Sequence, residues 1–199
     1  MTTSNHNPPK QSVSRQISVL VYPGLCMFEF ACVAEVFGLK RPELGSDWYK
    51  FETVSIDGNP VKTQYHGEIT PNKALKDIKI ASTIIIPGWS NVNEPIPTTI
   101  ITALINAYRS GSRLVAICSG SFVLAETGLL NGKSATTHWQ YVTKFKQQYP
   151  QIRVETDVLY IDEQSILTSA GSAAGLDLCL HLIRKDYGST VVNHVAKRL

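Results

Sequence analysis

The chain lacks any run of about 18 consecutive apolar residues, so no segment reads as a membrane span. Its start also lacks the apolar core of a secretory signal, because residues 1–16 are polar and include Pro8-Pro9. Residues 1–15 read as a disordered leader. Charge is sparse, at 18% of residues with a net charge of +3, too little to mark a nucleic-acid surface. Lys144 with Lys146, and Lys197 with Arg198, form weak basic clusters that read as solvated surface. The four cysteines, Cys26, Cys32, Cys118 and Cys179, show no CxxC spacing and no paired histidines, which argues against a zinc site. A chain of 199 residues with 43% apolar content does not need disulfide staples, so a reducing, cytoplasmic setting is the default. Internal repeats, low-complexity tracts, a helix-turn-helix pair and a basic recognition helix are all missing.

What is present is an alternation of short apolar runs with helical patterns. Strands are expected at 17–21, 49–56, 83–86, 114–117, 158–161 and 166–168, with a small hairpin at 61–63 and 68–70. Helices are expected after Gly24, after Pro97, from Phe122, over 141–149 and over 173–184. In the first helix, Phe28, Cys32, Val36 and Leu39 share one stripe, flanked by Phe30, Val33 and Phe37. Strands alternating with helices imply one α/β sandwich over residues 16–188, with a mainly parallel sheet covered on both faces. Residues 189–199 read as a last helix, capped by Ser189 or Thr190 with Val191, Val192 and Val195 as its stripe. It has no stop signal, so it is either a plain terminal helix or a lead into another module.

Cys118 is the residue most suggestive of function. The strand pattern from Arg113 stops at Cys118, small residues Ser119 and Gly120 follow, and a helical pattern starts at Phe122. A strand that turns sharply into a helix presents the turn residue at the carboxyl edge of the sheet, as in a nucleophile elbow. The nearby helix N-terminus would favour a thiolate. Ligands of open parallel sheets bind at that same edge, and other candidates fall there. Glu29, inside an apolar stretch, needs a partner and can hydrogen-bond the sulfur. The amides of Gly88 or Trp89 and of Ser119 can form an oxyanion hole. Gly171 and Ser172 end the late strand. Trp89 and Trp139 can wall an apolar pocket. His138 is the best-placed imidazole, either as a catalytic group or as a helix cap.

These residues together resemble the ThiJ/PfpI superfamily, with its class I glutamine amidotransferase-like fold. Within it they resemble the N-terminal domain of AraC-type transcriptional regulators. The resemblance rests on Tyr22-Pro-Gly24, Glu29 with Glu35-Val-Phe37, Ile86-Pro-Gly88, Ile117-Cys-Ser-Gly120, Ala135-Thr-Thr-His-Trp139, Thr168-Ser-Ala-Gly171 and Ala174-Gly-Leu-Asp177. It implies a flavodoxin-like three-layer sandwich, Cys118 at the elbow, Glu29 as its carboxylate neighbour, a homodimer, and a DNA-binding helix-turn-helix domain beyond Leu199. No cofactor and no metal are expected.

Two features depart from the enzymatic members. The position after the elbow cysteine is Ser119, where peptidase-like members carry histidine, and no late His-x-Glu pair is present. The expected function is therefore a regulatory domain that binds a small, nitrogen-containing or amphipathic metabolite over Cys118 and reaches DNA only through the further domain. The alternative is a cysteine-dependent hydratase or amidase of the isocyanide hydratase type. A third reading is a redox sensor in which Cys118 becomes a sulfinic acid held by Glu29.

Overall fold

Side chains of successive strand residues point to opposite faces of a sheet, and in the central strands both sets are apolar. Leu20, Ile84, Ile86, Leu114, Ala116 and Ile166 enter one core. Ile17, Val19, Ile85, Val115, Ile117 and Leu167 enter the other. Such two-sided burial is the signature of a parallel sheet sandwiched between helices. A computed structural model, which describes residues 15–45, 47–80 and 83–199, has this architecture. The expected leader lies, apart from Arg15, outside the described residues.

The strands in chain order are β1 (Gln16–Leu20), β2 (Lys50–Ser55), β3 (Val61–Lys62), β4 (Glu68–Ile69), β5 (Lys73–Ala74) and β6 (Thr83–Ile86). They continue with β7 (Arg113–Ile117), β8 (Ser134–Ala135), β9 (Arg153–Val154), β10 (Tyr160–Asp162) and β11 (Ile166–Ser169). The α-helices are α1 (Met27–Val33), α2 (Thr98–Arg109), α3 (Ser121–Glu126), α4 (Val142–Gln148), α5 (Ala174–Tyr187) and α6 (Ser189–Ala196).

The main sheet has seven strands in the order β10-β11-β7-β6-β1-β2-β5. All pairs are parallel except β10 with β11, which turn back on each other through Glu163, Gln164 and Ser165. Two-stranded pieces β3-β4 and β8-β9 lie outside it. Residues of α2, α3 and α4 pack on one face and residues of α1, α5 and α6 on the other.

Two local expectations need correction. The stripe in the first helix is not the buried one, since Phe28 is 56% and Leu39 is 39% exposed. The inward face carries Glu29, Val33, Val36 and Phe37, one position on from the expected stripe, and runs from α1 into the π-helical turn Ala34–Gly38. The buried residues of α2 are Ile100, Leu104 and Ala107. The cap of α6 is Gly188, whose φ of 85° breaks the chain direction after α5, while Ser189 and Thr190 are inside the helix.

The edge of the sheet away from the elbow is closed by a charged network. Arg113, at the start of β7, donates to both carboxylate oxygens of Asp186 on α5 at 2.9 and 2.6 Å. The Tyr49 hydroxyl adds a bond to Asp186 at 2.6 Å. Burial alone would raise the Asp186 carboxyl, but the hydrogen bonds and charge of Arg113 hold it below the usual range. A depressed carboxyl adds stability above its unfolded value, near pH 4, that is lost as pH falls through the folded value. Asp186→Asn is therefore expected to destabilise the fold by about 1–3 kcal/mol at pH 7. The loss should shrink below pH 4, as measured by urea unfolding across pH. An equal loss at every pH would show that charge pairing is not the cause.

Candidate functional site

The elbow is built where β7 ends. Cys118 has φ of 59°, a left-handed conformation that few side-chain-bearing residues adopt. A short 3-10 turn, Cys118–Gly120, then leads into α3 at Ser121. Holding a non-glycine residue there costs about 1–3 kcal/mol, so the surroundings must over-determine it. They do so from two sides. Ser121 Oγ and Thr137 Oγ1 both donate to the Cys118 carbonyl, at 3.0 and 3.2 Å. Gly120 lies so close to β6 that an added Cβ would sit 2.5 Å from the carbonyl oxygens of both Ile86 and Pro87. Because those atoms are backbone, Gly120→Ala is expected to destabilise by about 1–3 kcal/mol or more. A melting temperature equal to that of the parent would show that the elbow and β6 are not in close contact.

Around the sulfur, four elements converge. Glu29 comes from α1 and is 6% exposed despite its charge. Its carboxyl hydrogen-bonds the Cys118 sulfur and accepts from Ser172 Oγ at 2.8 Å. The backbone amides of Ser119 and Ser172 donate to the same sulfur. Gly88 closes the space: a Cβ there would lie 3.3 Å from Glu29 Cδ and from Ser119 Oγ. Ser119 Oγ itself donates to the Trp89 carbonyl at 2.9 Å. Of the residues expected from sequence, Cys118, Glu29, Gly88, Ser119 and Ser172 thus meet at one point. The Ser119 amide is directed at the sulfur, so an oxyanion hole would have to share it.

His138 and Trp139 lie apart from that point. His138 stands over Gly171, where a Cβ would come within 2.6 Å of its Cδ2. Its Nδ1 accepts from the Gln140 amide at 3.3 Å and caps the turn Trp139–Tyr141, which is the capping role. Gly171 is bare because the imidazole needs its space. Trp139 is 78% exposed, so it does not wall a buried pocket with Trp89. The turn that His138 caps carries the ring outward. Trp89 instead stacks on Tyr22, with centroids 4.3 Å apart.

Two further residues belong to the site. Tyr22 is buried, and its hydroxyl donates to the Gly88 carbonyl. Cys26, the residue before α1, packs where a Cβ on Gly88 would be 3.4 Å from its own Cβ. The signal for Cys26 was its spacing, three residues before Glu29 and so on the same side of the first turn.

The electrostatics oppose the expected thiolate. Burial first, then the charge of Glu29, push the Cys118 thiol up to about 11, against the smaller opposite pull of the Ser119 and Ser172 amides. Cys26 is pushed to about 12, by burial and then by Glu29 and Cys118. The helix N-terminus is present, but one negative charge at contact outweighs its partial positive one. At pH 7 a thiol with a pKa of about 11 is thiolate in roughly one molecule in ten thousand. Among the described residues, no cluster of three or more His, Cys, Asp or Glu can hold a metal ion. No helix among them is long and apolar enough to cross a membrane.

This fold with this elbow defines a class, and the chain belongs to the DJ-1/PfpI family, whose model matches residues 15–185. Within it, the chain is similar to helix-turn-helix-type transcriptional regulators of Pseudomonas aeruginosa. GbdR is 28% identical over 181 residues, 91% of this chain and 49% of that protein. CdhR is 30% identical over 186 residues, 94% of this chain and 55% of that protein. The chain thus spans about half the length of these curated relatives. The crystal structure of an AraC family transcriptional regulator from Pseudomonas putida superposes with a TM-score of 0.79, covering 92% of this chain and 97% of that one. At 18% identity that likeness shows the fold alone. Isonitrile hydratase of Pseudomonas putida is also similar, 29% identical over 130 residues, 65% of this chain and 56% of that protein.

The charge effect has a direct test. Glu29→Gln removes the negative charge beside the sulfur, so the Cys118 thiol should fall from about 11. Alkylation of Cys118 by iodoacetamide at pH 8, followed by peptide mass spectrometry, should accelerate several-fold. An unchanged rate would show that Glu29 does not control the thiol.

Proposed function

We propose that this chain is the ligand-sensing domain of an AraC-type transcriptional regulator, working in the cytoplasm as a homodimer. A small nitrogen-containing or amphipathic metabolite binds at the carboxyl edge of the sheet, over Cys118. DNA is contacted through a separate helix-turn-helix domain, as the regulator relatives suggest. The observation that carries this reading is the surroundings of the sulfur. It is buried against Glu29, which with burial pushes the thiol up to about 11, and no imidazole hydrogen-bonds to it among the described residues. Such a thiol is a poor nucleophile and a good floor for a binding site. Glu29 can accept a hydrogen bond from an ammonium or amide N–H, and the Gly88 and Ser172 backbone lies beside it. Ligand occupancy would then bias the dimer or the module that follows.

The similarity to isonitrile hydratase supports one second reading, a cysteine-dependent hydratase. Cys118 would lose its proton to Glu29 and add to an electrophilic carbon, and the Gly88 and Ser119 amides would hold the developing charge.

The two readings differ in turnover. The chain is expected to show no Cys118-dependent turnover of cyclohexyl isocyanide, benzonitrile, benzamide or methylglyoxal above a Cys118→Ala control. Turnover of any of these that Cys118→Ala abolishes would replace the sensor reading with the enzyme.

A further inference from the structure

Strands β1, β2, β6 and β7 run parallel, so the elbow at the end of β7 and the start of β2 lie at opposite edges of the sheet. At that second edge a cleft of about 500 Å³ opens, lined by Leu39, Arg41, Trp48, Tyr49, Lys50 and Phe51 among others. Arg41 forms part of its wall and is only 2% exposed. Such burial of a cation normally comes with carboxylate partners. Here one nitrogen is satisfied, and weakly: Nη2 donates to the Glu35 carbonyl at 3.3 Å.

The other two nitrogens, Nε and Nη1, have no hydrogen-bond partner. Neither does Nε1 of Trp48, whose ring lies 5.5 Å from the guanidinium carbon. The nearby carboxylate of Glu43 is engaged elsewhere, by Arg198 Nη1 at 2.7 Å and His194 Nε2 at 3.3 Å. Three buried donor atoms, on two residues that line the cleft, therefore have no acceptor. An unmet buried donor is destabilising, and more so where it is charged. Among the described residues the orphaned polar atoms of this region are all N–H groups.

We propose that this cleft is a second ligand site, distinct from the elbow, that takes a small organic carboxylate with an apolar body. The carboxylate oxygens accept from Arg41 and from the Trp48 indole. The body packs on Leu39, Pro42 and Phe51, and the exposed Lys40 and Lys50 draw the anion in. A guanidinium stays charged at any pH the protein meets, and its flat array of N–H groups suits a carboxylate. Nε and Nη1 are shielded from solvent, so entry is accompanied by a small shift of segment 39–45. The same segment holds α6 through Glu43, which ties occupancy of the cleft to the position of that helix.

The test uses the whole chain, with benzoate and hexanoate as probes and benzamide as the neutral counterpart of benzoate. Binding is followed by the indole N–H resonance of Trp48 in two-dimensional NMR, assigned through Trp48→Phe. Both carboxylates should shift that resonance saturably, and benzamide should not. Arg41→Gln should weaken benzoate at least ten-fold and leave the unliganded melting temperature unchanged or higher, since it removes a buried charge held only by one long hydrogen bond and the face of the Trp48 ring. Trp48→Phe, followed by calorimetry, should weaken benzoate several-fold, and Cys118→Ala should leave it unchanged. Failure of both carboxylates to bind, equal binding of benzamide, or unaltered binding by Arg41→Gln would overturn the site. A marked drop in melting temperature in Arg41→Gln would do the same, because it would assign the guanidinium a structural role. None of these results bears on the elbow, whose ligand reading is tested separately by turnover.

Discussion

The constraint on which the rest depends is the close approach of the elbow to strand β6. Gly120 leaves no room for a side chain against the Ile86 and Pro87 carbonyls. That contact sets where the turn after β7 must go, and it holds Cys118 in a left-handed conformation. From this follow the direction of α3, the placement of the Ser119 amide on the sulfur, and the proximity of Gly88 and Trp89 to the same point. Sheet order does the rest. With β6 and β11 on either side of β7, the ends of β6 and β11 deliver Gly88 and Ser172, and α1 brings Glu29 across from β1.

Geometry and electrostatics point in different directions here. The elbow has the shape of a nucleophile site, with a sharp turn at the end of β7, donors and an acidic neighbour. The charge at contact distance works against a nucleophile, because Glu29 and burial hold the proton on sulfur. A histidine able to take that proton would change the balance, yet His138 is spent on capping its own turn. The local charges disfavour attack by the sulfur. The chain's relatives include both regulators and a hydratase, so the decision falls on the local charges and not on the fold.

Much of this was legible in the sequence, for identifiable reasons. The strands were visible because both faces of β6 and β7 are buried, which leaves unbroken apolar runs such as Thr83–Ile86. The elbow was visible because an apolar run met small residues at Cys118. Glu29 stood out as a charge in an apolar stretch. The inner face of α1 was not legible, because apolar residues lie on both sides of the helix and the inward position Glu29 is charged while the outward Phe28 is apolar. Trp139 was misplaced because sequence proximity to His138 says nothing about which way a ring leaves a capped turn. The thiol's protonation was misjudged because a helix N-terminus can be read from sequence, whereas contact between Glu29 and the sulfur needs coordinates. The orphaned donors of Arg41 and Trp48 were invisible for the same reason: a missing partner has no sequence signature.

The central claim is that Cys118 is a neutral, pocket-lining thiol at physiological pH. It is tested most directly by thiolate absorbance at 240 nm, recorded as a pH titration of the parent protein minus that of Cys118→Ala. The account predicts a difference curve that rises only in the alkaline range, with a midpoint near 11. A difference signal already complete at pH 7 would contradict it, and would return Cys118 to the role of nucleophile.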